Sequence, residues 1–318
     1  MALVTLKEVL EEAEKGGYAV GAFNMVNMET AQAIFAAAEE ERAPVIVQIT
    51  ETTIGKPGKP TYTHLEELLG IVWALVKRAT VPVVVHLDHG RSFESCKRCI
   101  DAGFSSVMRD GSLKEDGKTK TEIEENIAET RKVVEYARKQ SRYISVEGEM
   151  GALGEITDDM SPEERRVLLT QPEDAKRFVE ETGVDALAIA FGTKHGPYKG
   201  KPIIELDVIR KVREVVDVPL VMHGGTGVPP DVVKEAIKLG IKKVNIDTQI
   251  RMAFERSIRE TLDQKWNTYL AQFESTLEVG EEPNPPKYDI RKLLGPAREA
   301  MKEAIKAKMR LFGCSGKA

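Results

Sequence analysis

The chain has 318 residues, and its 46 Lys and Arg against 51 Asp and Glu give a formal net charge of −5. Hydrophobic residues make up 42% of it, enough for a large core, and three cysteines exclude a disulfide scaffold. The mild acidic excess argues against electrostatic nucleic-acid binding. With no signal peptide and no membrane-length apolar run, we expect a soluble cytoplasmic protein.

Strand-length apolar runs recur eight times along the chain, and most are continuously apolar, as in strands buried on both faces. They lie at 18–23, 44–49, 82–87, 105–108, 143–146, 186–190, 219–222 and 243–246. Amphipathic segments such as 205–216 and 231–239 separate them. Proline opens three of the strands and glycine ends three of the helices: Pro44, Pro82 and Pro219, then Gly103, Gly183 and Gly240. This alternation predicts parallel strands with right-handed crossovers.

Polar residues follow nearly every one of these runs, from Asn24 after the first to Asp247 after the last. Such residues converge only if the sheet closes, since an open sheet uses mainly its switch point. We therefore expect an α/β fold, a (β/α)8 TIM barrel forming one domain over 1–318. Its barrel covers roughly 18–270, and further C-terminal helix covers roughly 289–312, after an irregular stretch near 281–287.

Three of the five histidines follow different strands and precede glycine: His89, His195 and His223. Three neutral imidazoles from separate strand ends make a suitable Zn²⁺ site that leaves a position open for substrate. We interpret His64, at a helix start, and His86, within a strand, as structural, with a secondary interpretation that His86 orients Asp88.

Asp88 precedes His89 directly, so in a regular strand the two side chains would face opposite sides. Both reach the barrel interior only if the strand ends and turns there, which Gly90 would allow. An aspartate beside a cation can exchange a proton with a substrate hydroxyl. The structural alternative is that Asp88 caps a helix over 92–100.

Two loops have the chemistry of anion sites. Gly224, Gly225 and Thr226 precede a helix that opens at Pro229-Pro230, and Asn245 to Thr248 precede the next helix. Successive backbone N–H groups at a helix N-terminus bind phosphate, and strands seven and eight are the usual place for it in barrels. Arg251 and Lys199 are candidates for a second anionic group.

Four segments resemble class II, metal-dependent fructose-1,6-bisphosphate aldolases, and the likeness runs over nearly the whole chain. They read VHLDHG at 85–90, GTKHGPYK at 192–199, VMHGGTG at 221–227 and VNIDTQIR at 244–251. The resemblance implies reversible cleavage of fructose 1,6-bisphosphate to dihydroxyacetone phosphate and glyceraldehyde 3-phosphate in glycolysis and gluconeogenesis, with zinc stabilising the enediolate.

The resemblance also implies residue roles. His89, His195 and His223 would hold the catalytic zinc, and Asp88 would be the acid/base. The remaining implied positions are a second or alternative metal site at Asp110 and Glu149, dihydroxyacetone phosphate contacts at Gly196, Gly224–Thr226 and Asn245–Thr248, and Asn24, Thr50 and Arg251 near the other phosphate. A monovalent cation near the phosphate loops and a homo-oligomer, dimer or tetramer, are implied as well.

One stretch, 148–159, departs from the family pattern. Aligned without gaps, Thr157 falls where the family has the glutamate that exchanges a proton on dihydroxyacetone phosphate, and threonine cannot do this at neutral pH. We expect Asp158 to substitute, with Glu155 and Asp159 as alternatives.

The alternatives to a fructose-bisphosphate aldolase are a tagatose-bisphosphate aldolase, a metal hydrolase and a non-catalytic sugar-phosphate binder. Tagatose-bisphosphate aldolases tend to lack the residues kept here as Asp247 and Arg251, which favours the fructose substrate. A metal hydrolase would need a His-x-His pair after the first strand, where Ala22 to Val26 contain none. A non-catalytic sugar-phosphate binder remains an alternative because of Thr157.

Overall fold

Eight parallel strands close into a barrel in chain order, with β1 paired to β8. The computed structural model describes residues 2–56, 61–114, 119–151, 154, 156–157, 159–196, 198, 200, 202–279 and 289–318, with backbone alone for 265–279. The strands are β1 Val20–Asn24, β2 Val45–Thr50, β3 Val83–Gly90, β4 Ser106–Arg109, β5 Ser145–Met150, β6 Ala186–Ile189, β7 Leu220–Met222 and β8 Ile241–Ile246. The predicted (β/α)8 barrel is confirmed.

Helices alternate with these strands around the barrel. They are α1 Leu6–Gly16, α2 Met28–Glu41, α3 Glu51–Ile54, α4 Leu65–Val76, α5 Phe93–Asp101, α6 Ile123–Arg138, α7 Pro162–Leu168, α8 Pro172–Thr182, α9 Leu206–Arg213, α10 Pro230–Leu239, α11 Thr248–Val279 and α12 Arg291–Phe312. No helix in the described part of the chain is both long and apolar enough to cross a bilayer.

Local sequence explains where the elements begin and end. Strands β2, β3 and β7 each start one residue after the proline expected to open them. Helix α8 ends at Thr182, where Gly183 takes a left-handed φ of 71° that glycine adopts without strain. All eight strands are buried at almost every position, as continuous apolar runs predict.

The last helix, α12, packs against α2 beside β1. Ala19 N–H donates to the Phe312 carbonyl at 3.1 Å, and Lys302 and Lys306 both lie 2.6 Å from the Glu40 carboxylate. The C-terminal segment therefore covers the start of the barrel. The irregular stretch predicted near 281–287 lies outside the described residues.

Candidate active site

A cavity of about 300 Å³ opens at the carboxyl ends of the barrel strands. It brings together residues predicted from loops that are far apart in sequence: Asn24, Thr50, Asp88, His89, Asp110, Glu149, His195, Gly196, Gly224, Thr226, Asn245, Asp247, Thr248 and Arg251. His223 lies buried against this group, and Gly225 packs on β8 and does not line the cavity. Asp158 and Lys199, with Glu155, lie outside the described residues.

A bulge in β3 lets both Asp88 and His89 reach the cavity. His89 adopts a left-handed φ of 53°, and the pairing with β4 shifts register between Leu87 and Gly90. The prediction that the strand ends before His89 is therefore wrong, because β3 continues through the bulge to Gly90. A Cβ on Gly90 would lie 2.7 Å from the Met108 carbonyl oxygen, so glycine is required there. The capping alternative for Asp88 is also wrong, because Ser92 caps α5.

Three imidazoles meet at the cavity floor. One nitrogen from each of His89, His195 and His223 lies within 4.8 Å of the others, and His223 Nδ1 is 3.2 Å from His89 Nε2. Burial and the positive charge of His89 hold the pKa of His223 well below its usual range, and desolvation and His89 lower that of His195. Neutral imidazole is the form that binds a metal, so His195 and His223 are ready to bind a divalent ion, and His89 would release its proton when the ion binds.

A second ligand set shares His89. Its Nδ1 lies 3.0 Å from Asp110 Oδ2 and 3.6 Å from Glu149 Oε2, and that Glu149 oxygen is buried without a hydrogen bond from any described residue. Burial opposes charge on His89, yet the Asp88 and Asp110 carboxylates raise its pKa to about 10. Burial and the Asp110 charge raise the pKa of Glu149 well above its usual value. An unpartnered carboxylate oxygen and an attraction for positive charge both fit a cation here.

Asp88 is held as a carboxylate by two amides. Asn24 Nδ2 donates to Oδ2 at 2.8 Å, and Asn245 Nδ2 donates to Oδ1 at 3.3 Å. Gln48 in turn donates to Asn24 at 3.0 Å, which fixes the orientation of the first amide. Burial raises the pKa of Asp88, but the charges of His89 and Lys243 and the hydrogen bond from Asn24 outweigh it and leave the pKa lowered. The group is therefore ionised and able to accept a proton.

The loops after β7 and β8 line the cavity. Gly224 has a φ of 66°, and its Cα approaches the backbone of Lys194 so closely that a Cβ would lie 2.3 Å from that carbonyl oxygen. Thr248 is the first residue of α11, whose N-terminus faces the cavity. Arg251 Nη2 lies 2.7 Å from Asp247 Oδ2, so the pair forms one edge of the site.

His86 does not orient Asp88. Its Nδ1 lies 2.8 Å from Ser106 Oγ, and its Nε2 lies 3.4 Å from Lys243 Nζ, below the cavity. That secondary interpretation is wrong, and the structural one stands. His64 precedes α4 as its N-terminal cap residue, as predicted.

Several residues near the site had no predicted role. Thr52, Arg91, Ser112 and Leu113 line the cavity, and Glu147 and Lys243 lie beneath it. Glu147 lies two residues from Glu149, and Lys243 lies two residues from Asn245, so each pair faces the same side of its strand. The alternation of side chains along a strand could therefore have placed Glu147 and Lys243 inside the barrel. In the stretch 148–159, which departs from the family pattern, Thr157 and Asp159 are both exposed.

Comparisons with known proteins agree on one family. The model of the class-II fructose-bisphosphate aldolase family matches residues 4–317. The chain is 42% identical to fructose-bisphosphate aldolase of Geobacillus stearothermophilus over 100% of this chain and 99% of the relative, and 41% identical to that of Thermus caldophilus over 99% and 100%. Among solved structures, the YdjI aldolase of Escherichia coli K12 superposes with a TM-score of 0.77 at 31% identity, covering 99% of each chain.

Proposed function

The chain belongs to the class-II fructose-bisphosphate aldolase family, and we propose that it cleaves fructose 1,6-bisphosphate reversibly into dihydroxyacetone phosphate and glyceraldehyde 3-phosphate. The observation that carries this proposal is the convergence of three imidazoles and the Asp88 carboxylate on the floor of one cavity. An ion held there and a base beside it are what aldol cleavage needs.

In this proposal, three histidines bind the metal and Asp88 transfers the proton. His89, His195 and His223 would hold a divalent metal, which we propose to be Zn²⁺, and the bound ion would supply Lewis-acid chemistry at the substrate ketone. Asp88 accepts the C4 hydroxyl proton during cleavage and returns it during condensation. Its two amide donors keep it ionised and oriented for that transfer.

The substrate ends are assigned to two regions of the cavity. The cavity-lining residues of the first region bind the phosphate of the dihydroxyacetone half, since N–H groups and a helix N-terminus stabilise a dianion: Gly196, Gly224, Thr226, Asn245, Asp247 and Thr248. Asn24, Thr50 and Arg251, with Lys199, bind the other end. Holding both ends places the scissile bond over the imidazoles. Proton exchange on the dihydroxyacetone carbon is assigned to Asp158.

We further propose a second, alternative cation position at His89, Asp110 and Glu149, supported by the unpartnered Glu149 oxygen. The family resemblance supports a monovalent cation near the phosphate loops, a homo-oligomer, and a cytoplasmic role in glycolysis and gluconeogenesis. Sedimentation of the purified protein measures the oligomeric state directly.

The deciding experiment is cleavage of fructose 1,6-bisphosphate by the purified protein, with and without a chelator, with tagatose 1,6-bisphosphate in parallel. We expect fructose bisphosphate to be preferred, with activity lost to the chelator and restored by Zn²⁺. Cleavage that survives complete metal removal overturns the metal mechanism. Absence of cleavage of either sugar by metal-loaded protein favours a non-catalytic binder.

A further inference from the structure

A layer of charged and polar side chains crosses the barrel beneath the cavity. Glu147, Lys243, His86 and Ser106 are all 0% exposed. Lys243 Nζ donates to Glu147 Oε2 at 2.7 Å, and it also lies 3.4 Å from His86 Nε2. TIM-barrel interiors are usually filled by branched apolar side chains, so this layer needs a separate explanation.

Stability alone does not explain a buried ion pair at this position. Removing two charges from water is costly, and well-packed apolar residues of similar volume are often as stabilising or more so. Burial of both partners is complete here, so the full desolvation cost applies. The Glu147–Lys243 ion pair is better explained by the contact that the other carboxylate oxygen of Glu147 makes.

That second oxygen contacts a residue of the three-imidazole set. Glu147 Oε1 lies 3.1 Å from His223 Nε2, so the carboxylate accepts a hydrogen bond from a protonated Nε2. Nδ1 is then the nitrogen with the free lone pair, and it faces His89 Nε2 at 3.2 Å. Asn245 Nδ2 lies 3.1 Å and 3.3 Å from the two nitrogens of the same ring.

We propose that Glu147 and Lys243 are positioning residues, in which Glu147 fixes the tautomer and orientation of His223 for metal binding and Lys243 fixes Glu147. The inference rests on the metal site of the proposed function and deepens it. Each Glu147 oxygen already has a partner, Lys243 on one and His223 on the other, so we assign the carboxylate to positioning and not to metal binding. A carboxylate that orients a histidine ligand raises metal affinity, and its loss typically costs about 10- to 100-fold.

Two variants separate this role from a structural one. Glu147→Gln removes the carboxylate but leaves the Lys243 charge buried without a counterion, so the variant is at risk of unfolding. The double variant Glu147→Leu/Lys243→Met removes both charges and keeps similar volume, so we expect it to melt near the parent temperature. A structural role predicts that the double variant binds metal normally, whereas a positioning role predicts that it does not.

The measurement is Zn²⁺ affinity of the metal-free full chain, by competition with a chromophoric chelator, together with the visible spectrum of the Co²⁺ form. We expect affinity to fall about 10- to 100-fold in both variants, with an altered Co²⁺ spectrum. The control is Arg138→Met, which breaks a 2.9 Å ion pair with buried Asp185 just before β6, at the opposite end of the barrel. It should bind Zn²⁺ as the parent does.

A folded double variant with parental affinity and spectrum overturns the inference. An independent readout needs no variant: the ¹⁵N chemical shifts of His223 in the metal-free parent should report the Nε2–H tautomer, and an Nδ1–H tautomer also overturns it. Parent protein that binds Zn²⁺ tightly but cleaves no sugar bisphosphate contradicts the proposed function and leaves this inference intact.

Discussion

Asp88 and His89 are consecutive residues of one strand, yet both side chains face the same cavity, with Asp88 Oδ1 3.9 Å from His89 Nε2. A regular strand would send one of them into the surrounding helix layer. The left-handed backbone of His89 and the register shift beside it bring both side chains to one side of the strand. Left-handed backbone in a non-glycine residue is costly, and such conformations concentrate at functional sites.

Asp88→Asn should separate carbon–carbon cleavage from proton exchange. Asparagine can still accept a hydrogen bond from Asn24, so we expect folding and Zn²⁺ affinity to change little. Without a general base, kcat for cleavage of fructose 1,6-bisphosphate should fall about 10²- to 10⁴-fold. Exchange of the dihydroxyacetone phosphate proton with deuterated water, followed by NMR, should survive. If exchange falls as far as cleavage does, Asp88 is not the base for the C4 hydroxyl.

Metal binding should be visible as thermal stability. A ligand at about 100 times its dissociation constant stabilises the folded state by about 2.7 kcal/mol, so Zn²⁺ should raise the Tm of the metal-free protein. His223→Ala should lose most of that increase. His64→Ala is the matched control, because His64 is an exposed imidazole at a helix start. A Zn²⁺-induced rise in Tm that His223→Ala retains would exclude His223 as a ligand.

Asp247 should make the protein less stable as the pH rises. Burial raises its pKa from 3.8 to about 6, despite the opposing charge of Arg251. The folded state therefore binds this proton more tightly than the unfolded chain, and its stabilising contribution is lost between about pH 4 and pH 6. We expect Asp247→Asn to raise the Tm at about pH 7.5, with the difference shrinking toward about pH 4.

Asp207→Asn is the control of opposite sign for this pH dependence. A hydrogen bond from Lys211 lowers the pKa of Asp207 on the exposed surface of α9. Its contribution is present at neutral pH and lost in acid, so this variant should lower the Tm at about pH 7.5. Two Tm shifts in the same direction would contradict the assigned environment of Asp247.

Gly224→Ala should damage both the fold and phosphate binding. Alanine in a left-handed conformation costs about 1–2 kcal/mol, and its Cβ would also collide with the Lys194 carbonyl. Gly316→Ala has a similar φ, 75°, with no atom within 4 Å of the added Cβ. We expect both to lower the free energy of unfolding, Gly224→Ala by more, and only Gly224→Ala to raise KM for fructose 1,6-bisphosphate. Equal KM values would remove this loop from the phosphate site.

The fold was predictable because its signals are local and repeated. Proline before β2 and β3, glycine after α8, and continuous apolar runs each mark a boundary independently of the partners across the barrel. The convergence of the three histidines was predictable because each lies at or after the carboxyl-terminal part of a strand, and all these strand ends meet at one face. Neither inference requires knowing how side chains pack.

The bulge and the buried charges were not predictable in this way. Whether the strand at His89 ends or bulges depends on its pairing with β4, which lies 20 residues further on. The partnership of Lys243 with Glu147 joins residues 96 apart in sequence and depends on closure of the barrel. The alternation of side chains along a strand predicts which of them face the barrel interior, but it does not predict which residues they contact there.

Closure of the barrel between β1 and β8 has a consequence for synthesis on the ribosome. The outer edge of β1 stays unpaired until β8 is synthesised about 220 residues later. At a translation rate of about 5–20 residues per second this takes roughly 10–45 seconds. Helix α12, which covers α2, emerges later still. Nascent chains therefore expose an unpaired strand edge and an uncovered apolar helix for most of translation, an interval in which chaperone capture competes with aggregation.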